Sequence, residues 1–406
     1  MGESSNYDLG PAGQLMPAEE RLAVKRKKNM LKIGVPKEIA FQENRVSLAP
    51  DSVGIIVANG HEVYVERGAG AKAHFSDKEY ADAGATICET PNEIYKSDII
   101  LKVAPMLTEE MGMLGNRQTI VSALHQTMQQ KEYYEHLVKH KSTAIAFEFI
   151  QDKNGIFPVL NAMSEISGFA SIQIAAEYLS RNDLGKGKLF GNVSGISPVE
   201  IVVLGAGTVA QNAVSAALGF GASVKVFDNK IYKLRSLQHH ISQQVFTSII
   251  NPKVLSKALK SADVVIGALH SQDGRTPCVI TEDMVKEMKP GAIIIDASID
   301  QGGCIETSSI TNHNDPVFVK HEVIHYCVPN IPSMVPQTAS YALSNFFTTA
   351  LIDTGEEGGF EHYLKTHPAM RQGIYLYNGY LTKKNIAETY GLKYKELDLL
   401  LAAFQM

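Results

Sequence analysis

Short apolar runs alternate with amphipathic stretches along most of this chain. Leu31-Lys32-Ile33-Gly34-Val35 and His61-Glu62-Val63-Tyr64-Val65 read as strands, with a helical stretch beginning near Asp51 between them. Further strand-sized runs lie at 98–103, 119–124 and 143–146, separated by helix-like segments at 77–83 and 130–140. Strands alternating with helices predict parallel sheet built from strand–helix–strand units. A second series opens with Val199 to Leu204. A helix from about Thr208 to Leu218 follows, ended by Gly219 to Gly221, and strands are expected at 223–227, 263–266 and 292–295. Residues 163–180 carry helical periodicity between the two series, and the three-proline stretch 329–336 reads as a crossing segment. A long helix is expected over 338–352, then aromatic and Leu-rich helices to Met406.

The apolar run before residue 205 ends in Gly205-Ala206-Gly207-Thr208-Val209-Ala210. This is a dinucleotide fingerprint with alanine in its third place. Gly205 permits the tight turn, Gly207 lets backbone approach a pyrophosphate, and Ala210 is small enough for close helix–strand packing. The following helix offers free N–H groups and a positive dipole end to phosphates. Asp228 closes the next strand about 20 residues on, as the motif requires, and can accept hydrogen bonds from a ribose diol. It would repel a 2′-phosphate, so NAD is favoured over NADP, although Lys230, Lys233 and Arg235 follow closely. The fold class is therefore α/β, with two series of strand–helix units. A nucleotide-binding domain over 160–336 is inserted in a discontinuous substrate domain of 31–159 and 337–406, after an N-terminal extension over 1–30.

A chain of 406 residues, 45% hydrophobic and 20% charged, has the makeup of a globular protein with substantial cores. The net charge of −5 leaves no basic footprint for nucleic acid or an anionic membrane. No apolar stretch is long enough for a membrane-spanning helix. The four cysteines, Cys88, Cys278, Cys304 and Cys327, form no CxxC pair and no disulfide framework, and no metal site is read. A reducing, cytoplasmic setting fits. The basic run Lys25 to Lys28 reads as a solvated arm.

Several stretches resemble the alanine dehydrogenases, which share ancestry with the NAD-binding subunit of proton-translocating transhydrogenase. They are Gly34-Val35-Pro36-Lys37-Glu38, Glu43-Asn44-Arg45-Val46, Met163-Ser164-Glu165, the glycine loop, Ile299-Asp300-Gln301-Gly302-Gly303-Cys304 and Tyr326-Cys327-Val328-Pro329-Asn330. The resemblance implies two Rossmann-like doubly wound domains with a cleft between them, NAD-dependent, reversible oxidative deamination of L-alanine, and a homohexamer. Arg45 matches the arginine that holds the substrate carboxylate, a task suited to a planar, always-charged fork. Read alone, Arg45 is one half of a surface ion pair with Glu43 or a neighbour. His125 matches the catalytic histidine, and an imidazole titrating near neutrality can move the required protons. Asp300 is the matching acid near nicotinamide and substrate; read alone, it is a turn or cap residue beside Gly302 and Gly303. Carried over as further cofactor contacts are Ser164, Thr208, Val209, Lys233, Leu269, His270, Ala297, Ser298, Ile299, Val328, Asn330 and Ile331.

One position departs from the pattern. The family's second substrate-binding residue is the later lysine of Lys-Val-Lys-Glu-Pro, but this chain reads Lys102-Val103-Ala104-Pro105. Strand alternation would put positions 102 and 104 on one side, which nominates Lys102 as the substitute. Transhydrogenase subunits also end this motif in Ala-Pro. Two other readings therefore stand beside the first: an amino-acid dehydrogenase of the lysine or saccharopine type, and a catalytically impaired, transhydrogenase-like NAD-binding subunit.

Overall fold

The structure is a computed structural model that describes residues 29–126, 129–241, 243–270 and 275–403. The extension expected over 1–30 lies outside these residues except for its last two.

The first series forms β1 (Lys32–Val35), β2 (Glu62–Glu66), β3 (Thr86–Cys88), β4 (Ile99–Leu101), β5 (Thr119–Ser122) and β6 (Thr143–Ala146). The second forms β7 (Glu200–Leu204), β8 (Ser223–Phe227), β9 (Phe246–Ser248), β10 (Val264–Gly267), β11 (Ile293–Asp296), β12 (Val317–Lys320) and β13 (Val323–Tyr326). Near the C-terminus lie β14 (Ile374–Tyr377) and β15 (Tyr380–Leu381). Central strands such as β4, β10 and β11 are buried along their whole length. That explains their continuous Ile and Val runs: both faces of a parallel sheet are covered. β2 alternates buried and half-buried positions, as its sequence alternates.

Two sheets result, ordered β15-β14-β6-β5-β4-β1-β2-β3 and β12-β13-β11-β10-β7-β8-β9. β1 to β6 pair in parallel, as do β7 to β11 with β13. β14, β15 and β12 pair antiparallel. Counted from β1 or from β7, each order is that of a doubly wound fold, with its reversal between β1 and β4 and between β7 and β10. Ligands of such sheets bind outside the carboxyl ends of strands at that reversal.

Helix α1 (Pro158–Ser180) joins the two sheets, α2 (Thr208–Gly219) follows the glycine loop, and α3 (Pro336–Glu356) returns the chain to the first sheet. α3 packs on α1 and on the helix Pro50–Ala58, so Leu343, Phe347 and Leu351 enter one core with Ile33, Val35, Val53 and Ile56. The stretch read as a crossing segment is a short 3-10 turn, Ile331–Met334, leading into α3.

Three sequence expectations need correction. The C-terminal portion is not helical throughout: Ile374-Tyr375-Leu376-Tyr377 forms β14, completely buried against β6. An apolar four-residue run carries no periodicity that distinguishes strand from helix. The hairpin β12–β13 and the short strands β3 and β9 were also not anticipated. Finally, the strand expected over 98–103 stops at Leu101, so alternation does not govern where residues 102 and 104 point.

Candidate active site

At the carboxyl edge of the second sheet, Gly205 takes φ +102°, and a Cβ there would lie 2.3 Å from the carbonyl oxygen of Ala268. Only glycine allows this turn. Gly207 caps α2 without any side-chain hydrogen bond to the first N–H groups. A Cβ on Gly207 would meet nothing within 4 Å, so open space fronts the helix N-terminus. Ala210 is fully buried in the second-domain core. Asp228, one residue past β8, accepts the Ala206 N–H at 2.9 Å through Oδ2 and the Lys230 N–H at 2.7 Å through Oδ1. Each oxygen keeps a further lone pair. A turn that exposes N–H groups, open space and an acid at the neighbouring strand end together fit a dinucleotide.

The remaining cofactor candidates line this edge in different ways. Leu269 and His270 follow β10, Ala297 to Asp300 follow β11, and Val328 to Ile331 follow β13. The Ser298 hydroxyl donates to the Leu269 carbonyl at 2.7 Å and ties two of these loops together. His270 is pushed down by burial and by Lys233 and Lys230, which places the three groups near one another. Ile299, Val328 and Ile331 are buried, so they can offer a ligand backbone only. Ser164 stands on α1 one turn before Gly168, where a Cβ would lie 2.5 Å from the Val209 carbonyl oxygen. That close approach sets Ser164 beside the start of α2, where Thr208 and Val209 lie.

Asp300 occupies a 3-10 turn, Ile299–Gln301, ended by Gly302 at φ +92°. Buried Asp296 anchors this loop by accepting the N–H groups of Ser298 and Cys304, each at 3.1 Å. Asp300 is exposed to solvent yet has protein crowded around it. Desolvation, assisted by Asp296, raises its pKa to about 6.

The first sheet contributes Arg45 and His125. Arg45 lies in the loop between β1 and the helix Pro50–Ala58, its side chain only 11% exposed. Glu43 grips one edge of the guanidinium, with Nε donating to Oε1 at 2.7 Å and Nη2 to Oε2 at 2.6 Å. Nη1 faces the Met163 sulfur of α1 at 3.4 Å. Burial opposes both charges, but the mutual attraction outweighs it: Glu43 is held below the usual carboxylate range and Arg45 above its own. Asn330 of the second sheet's edge donates to Glu43 Oε2 at 3.1 Å, and Ser333 holds Asn44 from the same side. The pairing of Arg45 with Glu43 is present, but it is buried and not the surface ion pair expected from the sequence, and Asn330 joins it from the other half.

His125 follows β5 with φ +47°, a left-handed conformation costing a non-glycine residue about 1–3 kcal/mol. Glu148, just past β6, stabilises it: Oε1 accepts the N–H groups of Leu124 at 2.7 Å and His125 at 3.1 Å. The second oxygen of Glu148 is buried without a partner among the described residues, and burial pushes this carboxyl up. Solvent reaches the imidazole, but crowding by protein and then the Arg45 charge lower its pKa.

Lys102, expected to bind substrate, is not a free cation. It is 1% exposed, and its ammonium donates to Glu38 Oε2 at 2.9 Å and Glu110 Oε1 at 2.6 Å. Glu38 follows β1 and Lys102 follows β4, so this pair plugs the reversal point of the first sheet. Tyr95 completes the cluster by donating to Glu110 Oε1 at 3.0 Å.

The structure thus joins Arg45, Glu43 and Asn330 directly and puts His125 within electrostatic reach of Arg45. No hydrogen bond links Asp300 to these groups among the described residues. Glu43 was named only as an ion-pair partner of Arg45, and no role was read for Glu38, Glu110 or Glu148. An acid within three residues of a parallel strand's end was the available signal for Glu38 and Glu148; nothing marked Glu110.

The chain matches the family models for the alanine dehydrogenase/PNT N-terminal domain over residues 34–167 and C-terminal domain over residues 171–384. An alanine dehydrogenase of Staphylococcus haemolyticus is 37% identical over 369 residues, covering 91% of this chain and 98% of the relative. One of Methanococcus maripaludis is 38% identical over 364 residues, covering 89% and 97%. Among solved structures, an L-alanine dehydrogenase superposes with TM-score 0.84 at 34% identity, covering 89% of this chain and 99% of the other. A transhydrogenase from Sinorhizobium meliloti has the same fold, with TM-score 0.74 at 20% identity over 87% of this chain and 99% of its own.

Proposed function

Since this chain belongs to the alanine dehydrogenase/PNT family, we propose that it converts L-alanine, NAD⁺ and water reversibly into pyruvate, ammonium and NADH. One observation carries this reading. An arginine held on one edge by Glu43 and a histidine whose pKa is lowered share the carboxyl edge of one sheet, while a glycine loop with an open approach occupies that of the other.

Bound NAD would accept a hydride from the substrate Cα; every other task falls to this chain. The edge of Arg45 that Glu43 leaves open receives the alanine carboxylate. His125, lowered toward its neutral form, takes a proton from the substrate ammonium or from the attacking water and returns it to the departing amine. Asp300, with a pKa near 6, exchanges protons from the coenzyme side of the cleft. Gly205, Gly207, Thr208 and Val209 hold the diphosphate, Asp228 the ribose, and Leu269, Ala297 and Asn330 the nicotinamide end. The charge of Lys102 stays behind the cleft, so the carbonyl oxygen of pyruvate depends on His125 for a donor. The resemblance further supports a cytoplasmic homohexamer, which light scattering on the purified protein would test.

The experiment is a spectrophotometric assay of NAD⁺ reduction with a panel of amino acids. Turnover on L-alanine that His125→Ala abolishes supports the proposal. Turnover on another amino acid, or NADH binding without turnover on any, overturns it.

A further inference from the structure

The grip of Glu43 on Arg45 does more than neutralise a charge. A guanidinium offers two edges that suit a carboxylate: the Nε–Nη2 side and the Nη1–Nη2 end. Glu43 occupies the first with two bonds of 2.7 and 2.6 Å and also accepts the Arg45 backbone N–H at 3.1 Å. Only the second edge remains. Nη1 lies 3.4 Å from Met163 on the helix that joins the two halves, so this edge faces between them. Glu43 is itself held by Asn330 of the nucleotide half at 3.1 Å.

We infer that Glu43 is a positioning residue for the substrate: it blocks one edge of Arg45, presents the other, and does so in register with the nucleotide half through Asn330. The inference rests on the proposed function, because it takes the carboxylate bound by Arg45 to be the substrate's. Its consequence has a definite sign. If Glu43 served only to neutralise, removing its charge would strengthen attraction for an anion. As a positioning group, its removal lets the guanidinium turn and present the wrong edge, so anion binding weakens. Glutamine is the informative replacement. It keeps the size and one acceptor but cannot hold Nε and Nη2 together.

The test uses the full-length protein with NADH and with pyruvate as the carboxylate probe. The NADH affinity of Glu43→Gln, followed by nicotinamide fluorescence, should stay within about twofold of wild type. The Kd for pyruvate in the NADH complex should rise at least about tenfold, and kcat with saturating substrate should fall far less. In an Arg45→Lys background, where no fork exists to orient, Glu43→Gln should add little further loss; a merely structural role would add its full effect. If Glu43→Gln does not fold, Asn330→Ser should raise the pyruvate Kd in the same direction, with its NADH affinity measured separately. Pyruvate binding in Glu43→Gln that is unchanged or tighter, or full additivity with Arg45→Lys, overturns the inference. A wild-type protein that binds pyruvate Glu43-dependently but does not oxidise alanine sinks the proposed function and leaves the inference standing. A wild-type NADH complex that binds no pyruvate sinks both.

Discussion

The imidazole of His125 is positioned through its backbone, and among the described residues no hydrogen bond is made to its ring. A left-handed residue at the end of a parallel strand is stabilised by Glu148, which accepts two successive N–H groups. Desolvation by the surrounding protein and the Arg45 charge lower the ring's pKa, which favours the neutral form that can take a proton. His125→Ala should reduce kcat for alanine oxidation by about 10²–10⁴ while leaving NADH binding intact; steady-state rates and fluorescence titration check the two halves. Asp300 carries the complementary prediction. Its pKa is raised from 3.8 to about 6, so it is ionised above that pH and protonated below. As a proton acceptor it works only when ionised, so kcat/KM for alanine should fall as pH drops through about 6. The apparent pKa belongs to Asp300 and His125 together. Asp300→Asn should flatten that acid limb; a limb unchanged in the variant would remove Asp300 from proton transfer.

Elements decide what the residues can do. Gly205 and Gly207 stand two residues apart in one loop yet face opposite constraints. At Gly205 a side chain would collide with Ala268 and strain the backbone, so Gly205→Ala should lower both the melting temperature and NADH affinity. At Gly207 a Cβ meets no protein atom, so Gly207→Ala should melt close to wild type while losing at least about tenfold in NADH affinity. Equal NADH affinity in Gly207→Ala would place the pyrophosphate elsewhere. In the first sheet the ends of β1 and β4 are filled by Glu38 and Lys102, with Glu110 behind. Removing the lysine strands two buried carboxylates. Lys102→Met should therefore cost about 3–5 kcal/mol in denaturant unfolding at neutral pH. Burial already raises Glu38, and a protonated carboxyl needs no cation, so this loss should shrink toward acidic pH.

At the scale of the molecule, the first sheet takes strands from both ends of the chain. β14 and β15 cover the edge of β6, and Tyr375 and Leu376 pack in a core with Ile100, Ile120 and Tyr134. A chain truncated before Ile374 would expose that edge and core, and should be recovered mainly in the insoluble fraction while the full chain is soluble. The two halves also meet through polar contacts that use loop residues: Asn44 with Ser333, Glu43 with Asn330, and Gln42 with Asn312. The Glu43 carboxylate that holds Arg45 is thereby hydrogen-bonded to a residue of the second half.

What could be read from residues alone was local chemistry. The glycine turn, the small Ala210 beside it, the acid that ends β8 and the strand–helix alternation all follow from neighbours within about 20 residues, which the chain itself keeps close. Arg45, His125 and Asp300 were nominated by motif, but their surroundings were not legible. Glu43 lies two positions from Arg45 in sequence, yet its second partner, Asn330, is 287 residues away. The partners of Lys102 are 64 and 8 residues away, and the strand that was to aim it ended one residue too soon. Desolvation and charge pairing are summed over everything that packs around a group, whatever its place in the chain. Tertiary structure alone therefore decided that Arg45 is held by a carboxylate on one edge only, while Lys102 is enclosed between two buried carboxylates.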